Sequence, residues 1–175
     1  MENNAPWTEP VAEPISALVD AFWKTSSKTF HMAGEDAYMG SNEQGMLTPV
    51  AWSFGDNAEL ADRLLQLVLD GKKTGTASSY EDYILEEEEI PQVGDLSIIC
   101  DSKGVPAALI KTIQVDVVDF LDVTAEHAAA EGEGDGSLEY WRTAHEAYFS
   151  GQPKVVLERF KVIARAEGRK ATDTI

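Results

Sequence analysis

Cysteine, basic residues and long apolar runs are all scarce in this chain of 175 residues. Its single cysteine, Cys100, excludes an internal disulfide and a cysteine-based zinc cluster, and its position in the apolar segment LSIIC predicts a small core residue. No run approaches the roughly 18 apolar residues that a membrane-spanning helix needs, and the N-terminal MENNAPWTEP lacks the apolar stretch of a signal peptide. We therefore expect a cytoplasmic protein with no membrane partner.

Basic residues are outnumbered by acidic ones, 14 to 31, which gives a formal net charge of −17. A charge of this sign repels polyanions at long range, so the overall field of the chain does not attract nucleic acid. The C-terminal stretch 154–170 is an exception, because six lysines and arginines there accompany two glutamates. This stretch is predicted to form either one basic strand face or a charge-balanced tail.

The spacing of apolar residues predicts an α+β fold, a small and mostly antiparallel β-barrel or curled sheet flanked by helices. A first helix is expected from Pro14 and a loop over residues 33–45. Asp56 and Glu59 have the spacing of a capping box and predict a second helix, which Gly71 ends. The remaining predicted elements are strands in KKTGTASSY, LSIIC, residues 106–118 and VVLERFKVIARA, an acidic loop at residues 86–89, and helices over residues 125–131, capped by Thr124, and after Ser137.

The segment DGKKTGTASS, residues 70–79, contains the residue types of a phosphate-binding loop but not their order. A P-loop requires GxxxxGK[ST] between a strand and a following helix, whereas here Gln66 occupies the first glycine position and a helix precedes a strand. The segment is predicted instead to be a helix-to-strand corner that places a lysine and hydroxyl groups at the mouth of a pocket. Residues three apart in a strand point to opposite faces. The side chains of Lys73 and Thr76 therefore enter the same pocket only if Lys73 lies in the corner or Gly75 introduces a bulge.

Simpler structural roles account for several of the same polar residues. Lys72 and Lys73 suit a helix C-terminus, where the macrodipole favours cations, and the alternating hydroxyl residues after them suit any strand. On the last predicted helix, Trp141 and His145 are expected to pack into the core. Tyr140 on the same helix is left open as a surface on which a base stacks.

One acidic segment has residue types that bind metal ions, namely His127, Glu131, Glu133 and Asp135. The glycines between the acids fit a solvated turn equally well, and no second histidine has the spacing of a ligand. We therefore expect neither a metal ion nor another cofactor.

Three segments are specific when they occur together and in this order: FGDNAELADRLLQLVLDGKKTGTAS, PQVGDLSIICDSKG and AAAEGEGDGSLEYWRTAHEAYF. With them the chain resembles the ASCH domain, a relative of the PUA domain, over roughly residues 50–165. The chain divides accordingly into an N-terminal helical and loop extension (1–48), the ASCH domain (49–166) and a tail (167–175). The resemblance implies a PUA-like β-barrel and a partner that is RNA or a modified nucleoside.

One small ASCH lineage hydrolyses the acetyl amide of N4-acetylcytidine with a lysine, a threonine three residues later and a downstream glutamate. The resemblance places Lys73, Thr76 and Glu131 at these catalytic positions. The chain departs from that lineage in its N-terminal extension, in Ser78 where the lineage has an arginine, and in the segment EGEGDGSLEYW, which the lineage lacks.

Amide hydrolysis needs a nucleophile, a base, an oxyanion donor and an acid for the leaving amine. Thr76 would supply the hydroxyl, Lys73 the base or the oxyanion donor, and Glu131 either an orienting contact or the proton for the amine. The residues predicted to contact the substrate are Lys72, Thr74, Ser78 and Tyr140.

A structural or regulatory role through the N-terminal extension, residues 1–48, stays open at the level of sequence, as do two other functions of the ASCH domain. The first is a non-enzymatic RNA-binding module that uses Lys72, Lys73 and the basic C-terminal strand. The second is a ribonuclease in which Lys73 stabilises the charge of the phosphorane. The binding module predicts a steep salt dependence of RNA affinity, whereas hydrolysis of a neutral nucleoside predicts little.

Overall fold

The computed structural model describes residues 8–32, 48–149, 151 and 153–170, and the predicted loop over residues 33–45 lies outside these ranges. Five α-helices and five strands occur in the described residues. The helices are α1 (Ser16–Met32), α2 (Ala58–Leu69), α3 (Tyr80–Leu85), α4 (Ala125–Glu131) and α5 (Leu138–Glu146), and a short 3-10 turn covers Phe120–Asp122. The strands are β1 (Val50–Trp52), β2 (Gly75–Ser79), β3 (Leu96–Cys100), β4 (Pro106–Asp119) and β5 (Lys154–Arg165).

The strands form one curled sheet, a half-barrel with the order β1-β3-β4-β5-β2. Neighbouring strands are antiparallel except β1 and β3, which are parallel. The pairing of β4 with β5 shifts register after Leu109 and after Thr112, and such irregularities increase the local twist of a strand pair. The predicted α+β fold with a mostly antiparallel curled sheet is therefore confirmed.

One face of the sheet packs against α2. The helix buries Leu64, Leu65 and Val68 in a cluster that also contains Phe54 and Phe160. The predicted cap at Asp56 was wrong by one residue. Asn57 caps the helix instead, since its side-chain oxygen accepts a hydrogen bond from the backbone N–H of Leu60 at 3.0 Å.

The N-terminal helix packs on the sheet as a further layer. Val19 and Trp23 of α1 are buried in a cluster with Ile98, Cys100 and Leu109. The predicted core position of Cys100 is confirmed, because its side chain is fully buried and burial raises the pKa of its thiol to about 11. None of the described helices has both the length and the apolar character needed to cross a membrane.

The two helices between β4 and β5 have the caps that the sequence predicts. The Thr124 side chain accepts a hydrogen bond from the N–H of His127, and the Ser137 side chain accepts one from the N–H of Tyr140. Trp141 of α5 is 2% exposed and lies in a third apolar cluster, which confirms its predicted core position. The same cluster contains Val155 and Leu157 of β5, and Ala77 of β2 packs against it, so α4 and α5 lie over these two strands.

Two elements were not predicted, the short strand β1 and the helix α3. The sequence analysis assigned Tyr80 to a strand and the residues after it to an acidic loop. In the structure Ser79 ends β2 and caps α3, accepting a hydrogen bond from the N–H of Asp82. Glu81 and Asp82 occupy the first turn, where carboxylates favour a helix N-terminus. A helix therefore begins where the alternating pattern suggested more strand.

Candidate functional site

A cavity of about 1360 Å³ lies inside the half-barrel, with residues of all five strands in its wall. Apolar walls with a few convergent polar groups are typical of small-molecule sites. The aromatic residues of the wall include Trp52, Phe54, Tyr83, Tyr140, Tyr148 and Phe160. The polar residues that reach it include Lys73, Thr76, Ser78, Glu131, His145 and Glu158.

Lys73 enters the cavity from the corner between α2 and β2, as the sequence analysis predicted. Its backbone N–H donates to the carbonyl of Leu67 at 3.0 Å, so the chain turns back onto the last turn of the helix. The side chain is 2% exposed, and its Nζ lies 5.3 Å from the centre of the Phe54 ring. A buried ammonium group at this position needs anionic partners.

Two carboxylates at the end of α4 supply those partners. The Nζ of Lys73 lies 3.4 Å from Oε2 of Glu131 and 3.0 Å from Oε1 of Glu133. Gly132, between the two acids, ends α4 with a φ of +66°, and a Cβ there would lie 2.2 Å from the carbonyl oxygen of Lys72. A glycine is thus required where the helix end meets the lysine corner.

Glu131 is the most heavily bonded carboxylate of the site. Its Oε1 accepts from His127 Nε2 and from Trp141 Nε1, both at 2.8 Å. Its Oε2 faces Lys73 and, at 3.7 Å, the Nε2 of His145. Burial alone would raise the pKa of Glu131, but the His127 hydrogen bond and the charge of Lys73 together hold it at about 2. Glu131 is therefore an anion across the physiological range.

The structure brings together most of the residues predicted to act at the site. Lys73, Thr76 and Glu131 line the same cavity, and so do Ser78 and Tyr140. The Ser78 hydroxyl lies 3.0 Å from the hydroxyl of Tyr83. The Tyr140 ring covers Gly134, where a Cβ would come within 2.4 Å of the ring.

Two predicted substrate contacts lie elsewhere. Lys72 is exposed and is not part of the cavity wall. Thr74 points its hydroxyl to the carbonyl of Ala130 at 3.3 Å, while its N–H donates to the same carbonyl at 2.7 Å. Thr74 thus joins the lysine corner to α4, and it is also absent from the cavity wall.

His145 reaches the cavity, which the sequence analysis did not foresee. Its ring stacks on Trp141 with centroids 4.4 Å apart, so the predicted packing is present. Its Nδ1 donates to the carbonyl of Trp141 at 2.8 Å, which directs Nε2 towards Glu131. The i, i+4 spacings of Trp141 with His145 and of His127 with Glu131 were visible in the sequence and place each pair on one helix face.

Glu158 of β5 is a further carboxylate of the cavity wall and is half-buried. No pattern in the sequence pointed to it. The Thr112 hydroxyl donates to its Oε2 at 3.1 Å. Burial, with a contribution from the negative charge of Asp95, raises its pKa above the ordinary value despite that hydrogen bond. The strand register places Glu158 directly opposite Thr76.

Among the described residues, no group of three or more histidine, cysteine, aspartate and glutamate side chains is arranged to hold a metal ion. The residues that the sequence suggested for such a site make other contacts. Glu131 and Glu133 face Lys73, and His127 donates to Glu131.

The basic residues of the C-terminal stretch contact separate parts of the molecule. Arg165 donates to the carbonyl of Leu69 at 2.5 Å, and Arg169 pairs with Asp101. The Nζ of Lys154 lies 5.9 Å from the centre of the Tyr80 ring. Each of these three cations therefore contacts a different part of the described fold.

Comparison with known proteins gives a consistent result. The family model described as the ASCH domain matches residues 50–164. The crystal structure of an ASCH domain from Lactobacillus crispatus is similar, with a TM-score of 0.72 and 27% identity over 86% of this chain and 96% of that one. A crystal structure of a protein from Enterococcus faecalis has a TM-score of 0.68 and 31% identity over 86% of this chain and 90% of that one. No curated protein matches the chain.

Proposed function

The chain belongs to the ASCH domain family, a family with a PUA-like, RNA-binding fold, and on this basis we propose that its cavity binds a modified nucleoside and hydrolyses an amide of the N4-acetylcytidine type. The observation that carries the proposal is the buried ion pair between Lys73 and Glu131, 3.4 Å apart, in a cavity that Thr76 also lines. Perturbed, buried titratable groups in a cleft are a frequent mark of catalytic sites.

The charge of the cavity wall favours a neutral ligand over a nucleic acid strand. Besides Glu131, the wall includes six carboxylates, and its cations are Lys73 and Arg63. A phosphate backbone would meet repulsion there, whereas a nucleoside without phosphate would not. The six carboxylates are Asp56, Glu88, Glu89, Asp95, Glu133 and Glu158.

In the proposed reaction Lys73 stabilises the oxyanion. A lysine that is salt-bridged to two carboxylates is suited to donating hydrogen bonds rather than to accepting a proton. Glu131 orients the ammonium group, and its own low pKa and full set of partners make it unsuited to carrying a proton. Thr76 supplies the attacking hydroxyl from the neighbouring strand.

Two further residues of the wall are assigned to the base of the nucleoside. Tyr140 is 41% exposed and presents its ring at the cavity wall, where a pyrimidine can stack on it. Ser78, which already bonds to Tyr83, offers a hydroxyl to a polar edge of the base. Lys72 and Thr74 are left out of the proposal because neither lines the cavity.

The proposal is tested by incubating the purified full chain with N4-acetylcytidine and measuring the cytidine released. Lys73→Met is expected to lower kcat by about 10²–10³-fold, the usual cost of removing an oxyanion donor. Lys72→Met, one residue away and outside the cavity, is expected to keep the wild-type rate. Circular dichroism and Lys73→Arg serve to separate loss of the donor from loss of the fold. Equal rates in the wild type and a folded Lys73→Met would remove Lys73 from the mechanism.

Thr76→Val tests the nucleophile, since valine has the shape of threonine without the hydroxyl. We expect turnover to be lost with the fold retained, whereas Thr143→Val on the exposed side of α5 should have no effect. Turnover that persists in Thr76→Val would show that water attacks the amide directly.

A wild-type chain that is folded but releases no cytidine would overturn the amidohydrolase. Binding to single-stranded RNA with a steep salt dependence would then indicate the RNA-binding module. Cleavage of that RNA, lost in Lys73→Met, would indicate the ribonuclease.

A further inference from the structure

We propose that Glu158 is the group that accepts and returns the proton at Thr76. This inference rests on the proposed amide hydrolysis, which needs a base that the Lys73–Glu131 pair does not supply. Glu158 lines the same cavity and lies on β5, the strand that pairs with β2.

The geometry of the sheet places the carboxylate beside the hydroxyl. Thr76 and Glu158 are directly opposite partners in the antiparallel pair of β2 and β5. Opposite residues in such a pair project from the same face, with Cβ atoms about 4.5–5.5 Å apart. A glutamate side chain is long enough to span a gap of that size, so the register puts the Glu158 carboxyl and the Thr76 hydroxyl on the same face of the sheet at neighbouring positions.

The surroundings of Glu158 leave it able to take up a proton. Thr112 of β4 donates one hydrogen bond to its Oε2, and a carboxylate has about four acceptor sites. The titratable groups that act on it are Asp95, from the turn before β3, and Tyr83, from α3, and both become negative when they ionise. The facing residues of β2 are Thr76 and Ser78, which carry hydroxyls. Burial and the Asp95 charge thus favour the protonated carboxyl, and a base whose pKa is raised towards the working pH is more effective.

The proposed hydrolysis needs no reactant other than the amide and water. The Thr76 oxygen attacks the acetyl carbon while its proton moves to the Glu158 carboxylate. The tetrahedral intermediate, held by Lys73, breaks its C–N bond, and the leaving N4 amine takes the proton from Glu158. Water then attacks the threonine ester, again giving its proton to Glu158. Breakage of the ester C–O bond releases acetic acid, which loses its proton to solvent as acetate, and Glu158 returns the proton to Thr76.

The kinetic test compares Glu158→Gln with wild type across acid to alkaline pH, with N4-acetylcytidine as substrate. Glutamine keeps the size of the side chain and still accepts the Thr112 hydrogen bond, but it takes no proton. We expect kcat/KM to fall about 10²-fold or more and the acid limb of its pH profile to disappear. Glu86→Gln, an exposed position outside the cavity, should keep both. A Glu158→Gln variant that keeps the acid limb and loses less than about threefold would overturn the inference and leave the amidohydrolase intact.

A second readout does not depend on turnover. The ¹³C signals of the glutamate carboxyls are followed against pH in the full chain, and the Glu158 signal is assigned by its loss in Glu158→Gln. We expect Glu158 to titrate above the ordinary glutamate range and its midpoint to move when cytidine is added. If this is seen while wild type releases no cytidine from N4-acetylcytidine, the amide hydrolysis is wrong and Glu158 stands as the titrating group of the cavity. A Glu158 that titrates at or below the ordinary range overturns the inference whatever the turnover.

Discussion

Two carboxyls of the cavity wall are held in opposite ways, the buried Glu131 at the end of α4 and the half-buried Glu158 on β5. At the α4 end, Glu131 accepts hydrogen bonds from His127 and Trp141 and faces Lys73, and its pKa is lowered to about 2. On β5, Glu158 accepts a hydrogen bond from the Thr112 hydroxyl, and burial together with the charge of Asp95 raises its pKa. Burial acts to raise the pKa of both groups, so the opposite directions of the two pKa shifts come from their partners.

The partners of a carboxyl in the cavity wall therefore decide its chemistry. Hydrogen-bond donors and a cation stabilise the charged form of Glu131 by more than burial destabilises it. Glu158 has weaker compensation, and burial prevails. A site that contains two carboxyls with pKa values pushed apart can divide its work, one as a fixed charge and one as a proton carrier.

The largest effect is expected when Glu131 is neutralised. In Glu131→Gln the buried ammonium of Lys73 loses an anionic partner, and the new NH2 group must face either that ammonium or the N–H donors of His127 and Trp141. We expect a loss of about 3–5 kcal/mol in the free energy of unfolding at neutral pH, measured by urea denaturation. Glu133→Gln removes a charge from the more exposed partner of Lys73 and should cost about 1 kcal/mol or less.

The pH dependence of that loss has a defined sign. A carboxyl whose pKa falls from 4.5 to about 2 on folding stabilises the protein by on the order of 3 kcal/mol at neutral pH. The advantage of wild type over Glu131→Gln is therefore complete above the unfolded pKa of 4.5 and is lost as the pH falls through about 2. An advantage that does not change over this interval would contradict the low pKa of Glu131.

An intermediate effect is expected when the lysine corner and α4 are forced apart. Gly132→Ala combines a left-handed backbone, which costs roughly 1–2 kcal/mol, with a Cβ placed 2.2 Å from the carbonyl oxygen of Lys72. Gly136→Ala has a similar φ of +73°, but its Cβ meets no described atom within 4 Å. Gly132→Ala should therefore be less stable than Gly136→Ala by about 1–3 kcal/mol and should lose more turnover. Equal stabilities would mean that the contact with Lys72 is easily relieved.

The part of the site beside α4 is the part that the sequence predicts well, because residues close together in the chain determine its structure. The caps of α4 and α5, the corner at Lys73 and the core position of Trp141 follow from nearby residue types. The i, i+4 spacing of His127 and Glu131 also places these two side chains on one face. The meeting of Lys73 with Glu131 did not follow from local pattern, and it was expected because of the resemblance to the ASCH domain.

The position of Glu158 in the site depends on which strands pair, and residue patterns do not reveal this pairing. Thr76 and Glu158 are adjacent because β2 pairs with β5 rather than with β3, the next strand along the chain. A shift of one residue in this register would turn Glu158 to the other face of the sheet. The helix α3 was missed for a related reason, since the cap at Ser79 ended an alternating pattern that otherwise indicated more strand.

The smallest expected effect is that of neutralising Glu158, and its sign is opposite to that at Glu131. Glu158 has a raised pKa in the fold, so its ionisation destabilises the protein as the pH rises from the unfolded value of 4.5 through the folded value. Glu158→Gln should match wild type in acid and become slightly more stable at neutral pH, by less than about 1 kcal/mol. Glu86→Gln, measured in the same urea series, gives the effect of removing an exposed charge. If Glu158→Gln were instead destabilised at neutral pH, Glu158 would be held as a stabilised anion like Glu131. A carboxyl of that kind would be a poor proton acceptor for Thr76, because its affinity for the proton would be as low as that of Glu131.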